Sequence, residues 1–282
     1  HRRHGGRPAR QGRAPDRQMS EQTQNGDVVL QARGISKAYG AVQALDNVDI
    51  ELRRGEVLGL VGDNGAGKTT LVKCLSGVFR PDSGTILIDG NDYGDLTAEF
   101  ARSLGIETVY QNLSLVDTLD VMQNFFLNRE LFYNNPPARA LRWLNRRRMY
   151  KATEEHLRAL GLPVDARRPV SALSGGQRQM IAVGRAITWG RHIVMLDEPA
   201  AALGVRQSIQ VLRFVRTMAE RGVAVLFISH NMQHVLQVTD RIVVLRHGVK
   251  VGDLRTADAS AQQVVTLITG SELVIAGQDF AV

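Results

Sequence analysis

GDNGAGKTT, residues 62–70, sets glycines, one lysine and two hydroxyls at the spacing G-x-x-x-x-G-K-[ST]. Glycines let successive backbone N–H groups converge on phosphate oxygens, and a helix opening at the lysine adds its partial positive charge. The pattern predicts a cradle for a nucleoside triphosphate made by Gly62, Asp63, Asn64, Gly65, Ala66, Gly67, Lys68, Thr69 and Thr70. Lys68 would reach the β- and γ-phosphates, and the Thr69 hydroxyl would ligate Mg²⁺. A chain with this one's glycine, lysine, serine and threonine content matches the pattern by chance about 0.004 times. Nucleotide binding is therefore the expectation.

Two further stretches carry chemistry. HIVMLDE (192–198) ends an apolar strand on two acids, at the edge where open parallel sheets bind ligands. Asp197 suits the Mg²⁺ shell. Neighbouring strand residues point to opposite faces, so Glu198 is free to act as general base on the attacking water. LSGGQRQ (173–179) makes Ser174 a candidate N-cap, followed by Gly175, Gly176 and Gln177 at a helix start. With its hydroxyl and free backbone donors it is a second anion site.

The elements that must hold these residues follow from periodicity. VVLQAR (28–33) and NVDIEL (47–52) read as half-buried strands, and EVLGLVG (56–62) as a fully buried one that runs into the glycine turn. TILIDG (85–90) and GIETVY (105–110) are further strands. Strand signals vanish between about 115 and 172, where Glu154, Leu157 and Leu160 mark a helical stretch. Strands HIVMLD, VAVLFIS and RIVVLRHG then alternate with helices, one from Ser174, one through Val211 and Val215, a short one, and a closing one near 258–269. Such alternation predicts a mostly parallel sheet covered on both faces.

The 282 residues are 44% apolar and 22% charged, which excludes a disordered, collagenous or disulfide-scaffold chain. The net charge of +7 sits mostly in residues 1–18, where six arginines face one acid. The charge reports a tail, so no nucleic-acid partner is expected. Residues 1–26 are read as a disordered basic extension and 271–282 as a tail. Met19 looks like a natural start, which leaves open whether residues 1–18 are native. No segment reaches the roughly 18 apolar residues that span a bilayer, so any membrane role would be peripheral. Cys74, between Val72 and Leu75, is expected to be a buried small hydrophobe.

GDNGAGKTT, Gln111 in VYQNLSL, LSGGQRQ, IVMLDE and His230 in LFISH stand in an order and spacing that resemble the nucleotide-binding subunits of ABC transporters. The resemblance runs from about Val28 to Gly252. It implies an α/β P-loop NTPase core with a mostly parallel sheet, an N-terminal antiparallel β part and an inserted helical subdomain at about 112–173, together spanning 27–270. It further implies that Ser174, Gly175, Gly176 and Gln177 act in trans, on ATP bound by a second copy in a head-to-tail dimer. By the same resemblance Tyr39 in SKAYG stacks on adenine, with an ordinary edge or core tyrosine as the alternative. Gln111 senses Mg²⁺ and the attacking water, and His230 contacts the γ-phosphate. One departure stands out: Gly204 in PAAALGV occupies the place of the family's usual aspartate, which puts in question how tightly the two sites are coupled.

Soluble relatives of DNA repair carry long coiled coils between Gln111 and the signature turn, where this chain has 62 residues. An exporter subunit, a soluble ABC ATPase and a nucleotide-gated switch without turnover remain alternatives. The run VYQNLSLVDTLDVMQNFFLNRE (109–130) is similar to bacterial importers of simple sugars such as ribose, xylose, galactose or fructose. That resemblance implies an ATPase on the cytoplasmic face of the inner membrane, a homodimer beneath membrane permease subunits and, indirectly, a periplasmic sugar-binding protein. The arginines Arg139, Arg142, Arg146, Arg147 and Arg148 are expected to form a solvated face, with a contact to lipid or permease as the alternative.

Overall fold

Strand β3 (Val57–Val61) is apolar and buried at every position, which a strand tolerates only when both faces of its sheet are covered. In the computed structural model, which describes residues 27–133 and 141–270, β3 lies inside a six-stranded sheet. It pairs in parallel with β8 (Ala224–Ile228) and β9 (Arg241–Arg246). Strand β7 (Ile193–Asp197) joins β8 in parallel, and β6 (Ile106–Val109) joins β7. An antiparallel strand, β10 (Val249–Arg255), closes the far edge against β9. The expected mostly parallel sheet is present, and its parallel strands bring their carboxyl ends to one edge.

A second sheet is antiparallel, in the order β2 (Val42–Arg53), β1 (Val28–Tyr39), β4 (Ser83–Ile88), β5 (Asn91–Asp92). Period-2 alternation divides the core between the two faces of the larger sheet. Leu58, Leu60, Met195 and Leu226 pack toward the second sheet and helix α1 (Lys68–Leu75). Val57, Val61, Val194 and Phe227 pack toward α5 (Gly175–Trp189), α6 (Val205–Glu220), α7 (Met232–Val238) and α8 (Ala261–Thr269). Cys74 is buried on α1, and burial pushes its thiol up to about 11, so it is an inert core residue.

Between β6 and α5 the chain forms α3 (Val121–Phe125) and α4 (Arg146–Ala159). These pack through Val121, Phe125, Met149, Leu157 and Leu160 against Ile181 of α5. Among the described residues these helices are the main regular elements of the segment, with isolated antiparallel bridges Asp120–Pro169 and Phe132–Leu144 beside them.

Some elements carried no readable signal. Helix α2 (Ala98–Ser103) has six residues and is started by Thr97, whose hydroxyl accepts from the Phe100 N–H at 3.2 Å; it is too short to show a period. β10 is mostly exposed, so burial imposes no alternation on it. β1 runs six residues past VVLQAR, its polar half held by bulged pairing to β2 and β4. The closing helix begins at Ala261, after a single 3₁₀ turn over Thr256–Asp258. The basic extension, the tail from 271 and Arg139 lie outside the described residues.

Candidate active site

The loop after β3 turns sharply because its glycines permit it. Gly67 has φ of 102°, and a Cβ there would lie 2.5 Å from the Ala44 carbonyl oxygen, so no other residue fits. Gly65 also has positive φ but faces open space, leaving its backbone approachable from the cleft. Lys68 Nζ donates to the carbonyls of Gly62 at 2.7 Å and Asp63 at 2.9 Å, so its ammonium is held over the loop. Burial pulls its pKa down, opposed by the charges of Glu198, Asp197 and Asp63.

Thr69 Oγ1 donates to Asp197 Oδ2 at 3.1 Å, so the two residues expected to share a metal ion already touch. Asp197 is buried, and desolvation raises its carboxyl above the usual range, with the neighbouring Glu198 charge adding to the rise. Among the described residues no three His, Cys, Asp or Glu side chains gather to form a metal cage. A Thr–Asp pair beside a phosphate cradle suits a hard cation that keeps most of its shell from water and phosphate, as Mg²⁺ does.

Glu198 differs from its expected setting. It is not a strand residue turned by alternation: β7 ends at Asp197, and Glu198 adopts a left-handed backbone with φ of 54°. A non-glycine residue is held there only when its surroundings over-determine it. They do. Its N–H donates to the Ile228 carbonyl at 3.0 Å, and its own carbonyl accepts from the buried Gln179 side chain at 3.1 Å. Its Oε1 accepts from the His230 backbone N–H at 2.8 Å, and His230 Nδ1 lies 2.9 Å from the same oxygen. That contact puts the imidazole proton on Nδ1 and leaves Nε2 free. The Glu198 side chain is 14% exposed and that of His230 75%.

All nine residues of the loop, with Tyr39, Gln111, Asp197, Glu198 and His230, line one cleft of about 820 Å³, a volume in the range of cofactor sites. Tyr39 is exposed at its mouth, its ring edge-on to Phe79 at 5.9 Å. The sequence reading missed Val42, Gln43, Ala44 and Ala201, which line the same cleft, and Gln179, which braces Glu198 from behind. Only the repeated glutamine of GGQRQ hinted at the last.

Ser174, Gly175, Gly176 and Gln177 do not line this cleft. They form a reciprocal cap on α5: Gln177 N–H donates to Ser174 Oγ at 3.3 Å, and Ser174 N–H to Gln177 Oε1 at 3.0 Å. A Cβ on Gly175 would meet nothing within 4 Å, so the turn presents open backbone to its surroundings. Gly204 caps α6, its N–H donating to Gln207 Oε1 at 3.2 Å.

A family model described as "ABC transporter" matches residues 45–201. The chain is 42% identical over 246 residues to the fructose import ATP-binding protein FrcA of Rhizobium meliloti, covering 86% of this chain and 95% of that one. It is 37% identical over 246 residues to the xylose/arabinose import ATP-binding protein XylG of Sulfolobus acidocaldarius, with coverage of 87% and 95%. It is also 42% identical to a ribose import ATP-binding protein, RbsA 1, of Rubrobacter xylanophilus, covering 87% of this chain and 48% of that one. The chain thus spans about half the length of some relatives and nearly all of others. Among solved structures, a nucleotide-free ATP-binding cassette from an ABC transporter superposes with a TM-score of 0.70 at 23% identity, covering 86% of this chain and 96% of that one. An ATP-binding cassette in its ADP conformation gives 0.69 at 24%, covering 86% and 99%. These structural likenesses establish the fold. The identity sustained along nearly the whole length of the fructose and xylose/arabinose relatives establishes more: the chain belongs to the ABC transporter family.

Proposed function

We propose that the chain is the ATP-hydrolysing subunit that energises a membrane importer of a simple sugar. The observation that carries the chemistry is the single cleft joining the glycine loop, the Asp197–Glu198 pair, Gln111 and His230; the names of the relatives support the sugar. In this reading the backbone N–H groups of residues 62–70 and Lys68 bind the β- and γ-phosphates, and Tyr39 stacks on the adenine. Thr69, Asp197 and Gln111 would hold Mg²⁺, which when bound neutralises phosphate charge.

Glu198 takes a proton from a water whose oxygen attacks the γ-phosphorus in line. The bond to the β–γ bridging oxygen breaks, and ADP leaves with that electron pair. His230 holds Glu198 through Nδ1 and the backbone N–H, and its free Nε2 accepts a hydrogen bond from the attacking water and helps to orient it. Lys68 and the loop amides stabilise the charge that develops.

Ser174, Gly175, Gly176 and Gln177 would complete the site of a second copy, a role favoured by their position outside their own cleft. The ATPase domain comprises residues 27–270 with the helical subdomain at 112–173, the extension and tail lying outside it. Permease subunits receive the conformational change, a periplasmic binding protein delivers the sugar, and the subunit sits peripherally on the cytoplasmic face of the inner membrane. No helix among the described residues is long and apolar enough to cross a membrane.

Calorimetry with Mg²⁺ and ATP, followed by phosphate release, tests the reading. Saturable heat that Lys68→Ala removes is the expected result. Absence of heat with folded protein would overturn it.

A further inference from the structure

The described arginines of the expected solvated face, Arg142, Arg146, Arg147 and Arg148, are exposed, and exposed apolar side chains stand beside them. The chain returns on itself here: Tyr133 N–H donates to the Trp143 carbonyl at 3.0 Å, and Phe132 pairs with Leu144 in an antiparallel bridge. Arg142 has a left-handed φ of 50°, so the chain turns here, and around that turn stand Tyr133, Leu141 and Trp143. They are 43%, 63% and 60% exposed, and Leu144 is 44% exposed. Leu141 and Trp143 are among the most exposed large apolar side chains described. Leu144 also lines a small groove of about 120 Å³ with Leu119, Met122, Leu127 and Met149, its rim completed by Gln123, Glu130 and Arg146.

Along the chain segment that carries these residues the charge has one sign. Residues 141–153 hold Arg142, Arg146, Arg147, Arg148 and Lys151 and no acid. Arg146 is met by Asp120 at 3.8 Å, and Arg142 lies over the Phe132 ring at 5.2 Å. Arg147 and Arg148 are exposed and make no ion pair among the described residues. Glu130, whose carboxylate accepts from the Asn128 N–H at 3.2 Å, lines the groove, and Glu154 and Glu155 follow further along α4.

We propose that the turn at Leu141–Trp143 and the first turn of α4 dock on an anionic phospholipid surface, Trp143 and Leu141 entering the headgroup boundary while Arg147 and Arg148 meet lipid phosphates. An exposed tryptophan and leucine rimmed by unpaired arginines are what an interfacial membrane contact requires, because an indole and an aliphatic chain gain from leaving water while guanidinium groups neutralise headgroup charge. The proposal deepens the peripheral membrane placement above. Its test reads neither nucleotide binding nor hydrolysis, so the two fail separately.

The full chain is mixed with vesicles of phosphatidylglycerol and phosphatidylcholine, and with vesicles of phosphatidylcholine alone, and tryptophan emission is followed with brominated lipids as quencher. The arginines of residues 1–18 would themselves be drawn to anionic vesicles, so sedimentation alone does not decide. The expected result is a blue shift and quenching on the anionic vesicles, absent in Trp143→Phe. Arg147→Glu with Arg148→Glu should weaken partitioning roughly 25-fold or more, at about fivefold per basic residue. Raised salt should weaken it further. ATP affinity in solution should be unchanged in both variants. Vesicle binding with no change in Trp143 emission, equal binding to neutral vesicles, or no binding at all would overturn the proposal. Protection of Trp143 by permease protein without lipid would likewise assign the surface to a protein partner instead.

Discussion

Glu198 and Asp197 are adjacent, yet the fold gives them opposite demands. Glu198 sits in a left-handed turn with its carboxylate gripped by His230, so Glu198→Gln keeps the shape while removing the proton acceptor. Steady-state phosphate release should fall at least about 100-fold, the usual worth of a positioned base, with Mg²⁺–ATP affinity nearly intact by calorimetry. Asp197 instead bears a burial penalty. Its raised carboxyl means that ionisation costs more in the folded chain than in the unfolded one. The penalty is absent below the unfolded value of about 3.9, grows as pH rises through the window up to the raised folded value, and is full above it. Asp197→Asn should therefore raise the melting temperature of the nucleotide-free chain at neutral pH, by roughly 2 °C, and lose Mg²⁺-dependent hydrolysis. An unchanged or lower melting temperature would show that the Thr69 contact already compensates the buried charge.

At the scale of elements, two helix starts do the positioning, and each exposes a different weakness. Helix α1 begins at Gly67, where any Cβ would strike the Ala44 carbonyl. Gly67→Ala should destabilise the chain by about 2 kcal/mol or more in denaturant titration, combining overpacking against fixed backbone with a left-handed φ, and abolish ATP binding. Helix α5 begins at the Ser174–Gln177 box. Ser174→Ala should cost about 1 kcal/mol of stability and leave the affinity of the single chain for ATP unchanged, since Ser174 is outside its own cleft. Both helix starts were legible in the chain, as glycine or serine immediately before an apolar period. Helix α2 and strand β10 were not, because six residues carry no period and an exposed edge strand has no face to bury.

The whole molecule raises the question of assembly. If Ser174 serves a partner's nucleotide, two inactive variants should restore one another. Mixing Ser174→Ala chains with Glu198→Gln chains makes mixed dimers in which one site combines an intact Glu198 with an intact Ser174, so phosphate release should return on mixing. Should the mixture stay as inactive as its components, Ser174 acts within its own chain or not at all. Glu198→Gln should also accumulate as a dimer with ATP in analytical ultracentrifugation. Gly204, where an acid was expected, serves as a backbone cap for α6 through Gln207, so the cap itself survives the loss of the aspartate.

Taken alone, the amino-acid order determined the phosphate loop, the acidic pair, the signature turn and the alternation of strands and helices. Each is a local rule of spacing: glycine at positive φ, apolar residues at period 2 or 3.6, a capping hydroxyl one residue before a helix. Only the tertiary structure decided what those pieces face. It closed Tyr39, Gln111 and His230, drawn from separate strand ends, onto one cleft. It turned Glu198 by a backbone twist instead of by strand alternation, and it left Ser174 outside the cleft. It also set Trp143 and Leu141 in the open beside unpaired arginines. Such outcomes depend on contacts between residues far apart in the chain, and the pattern within any one segment carries no record of them.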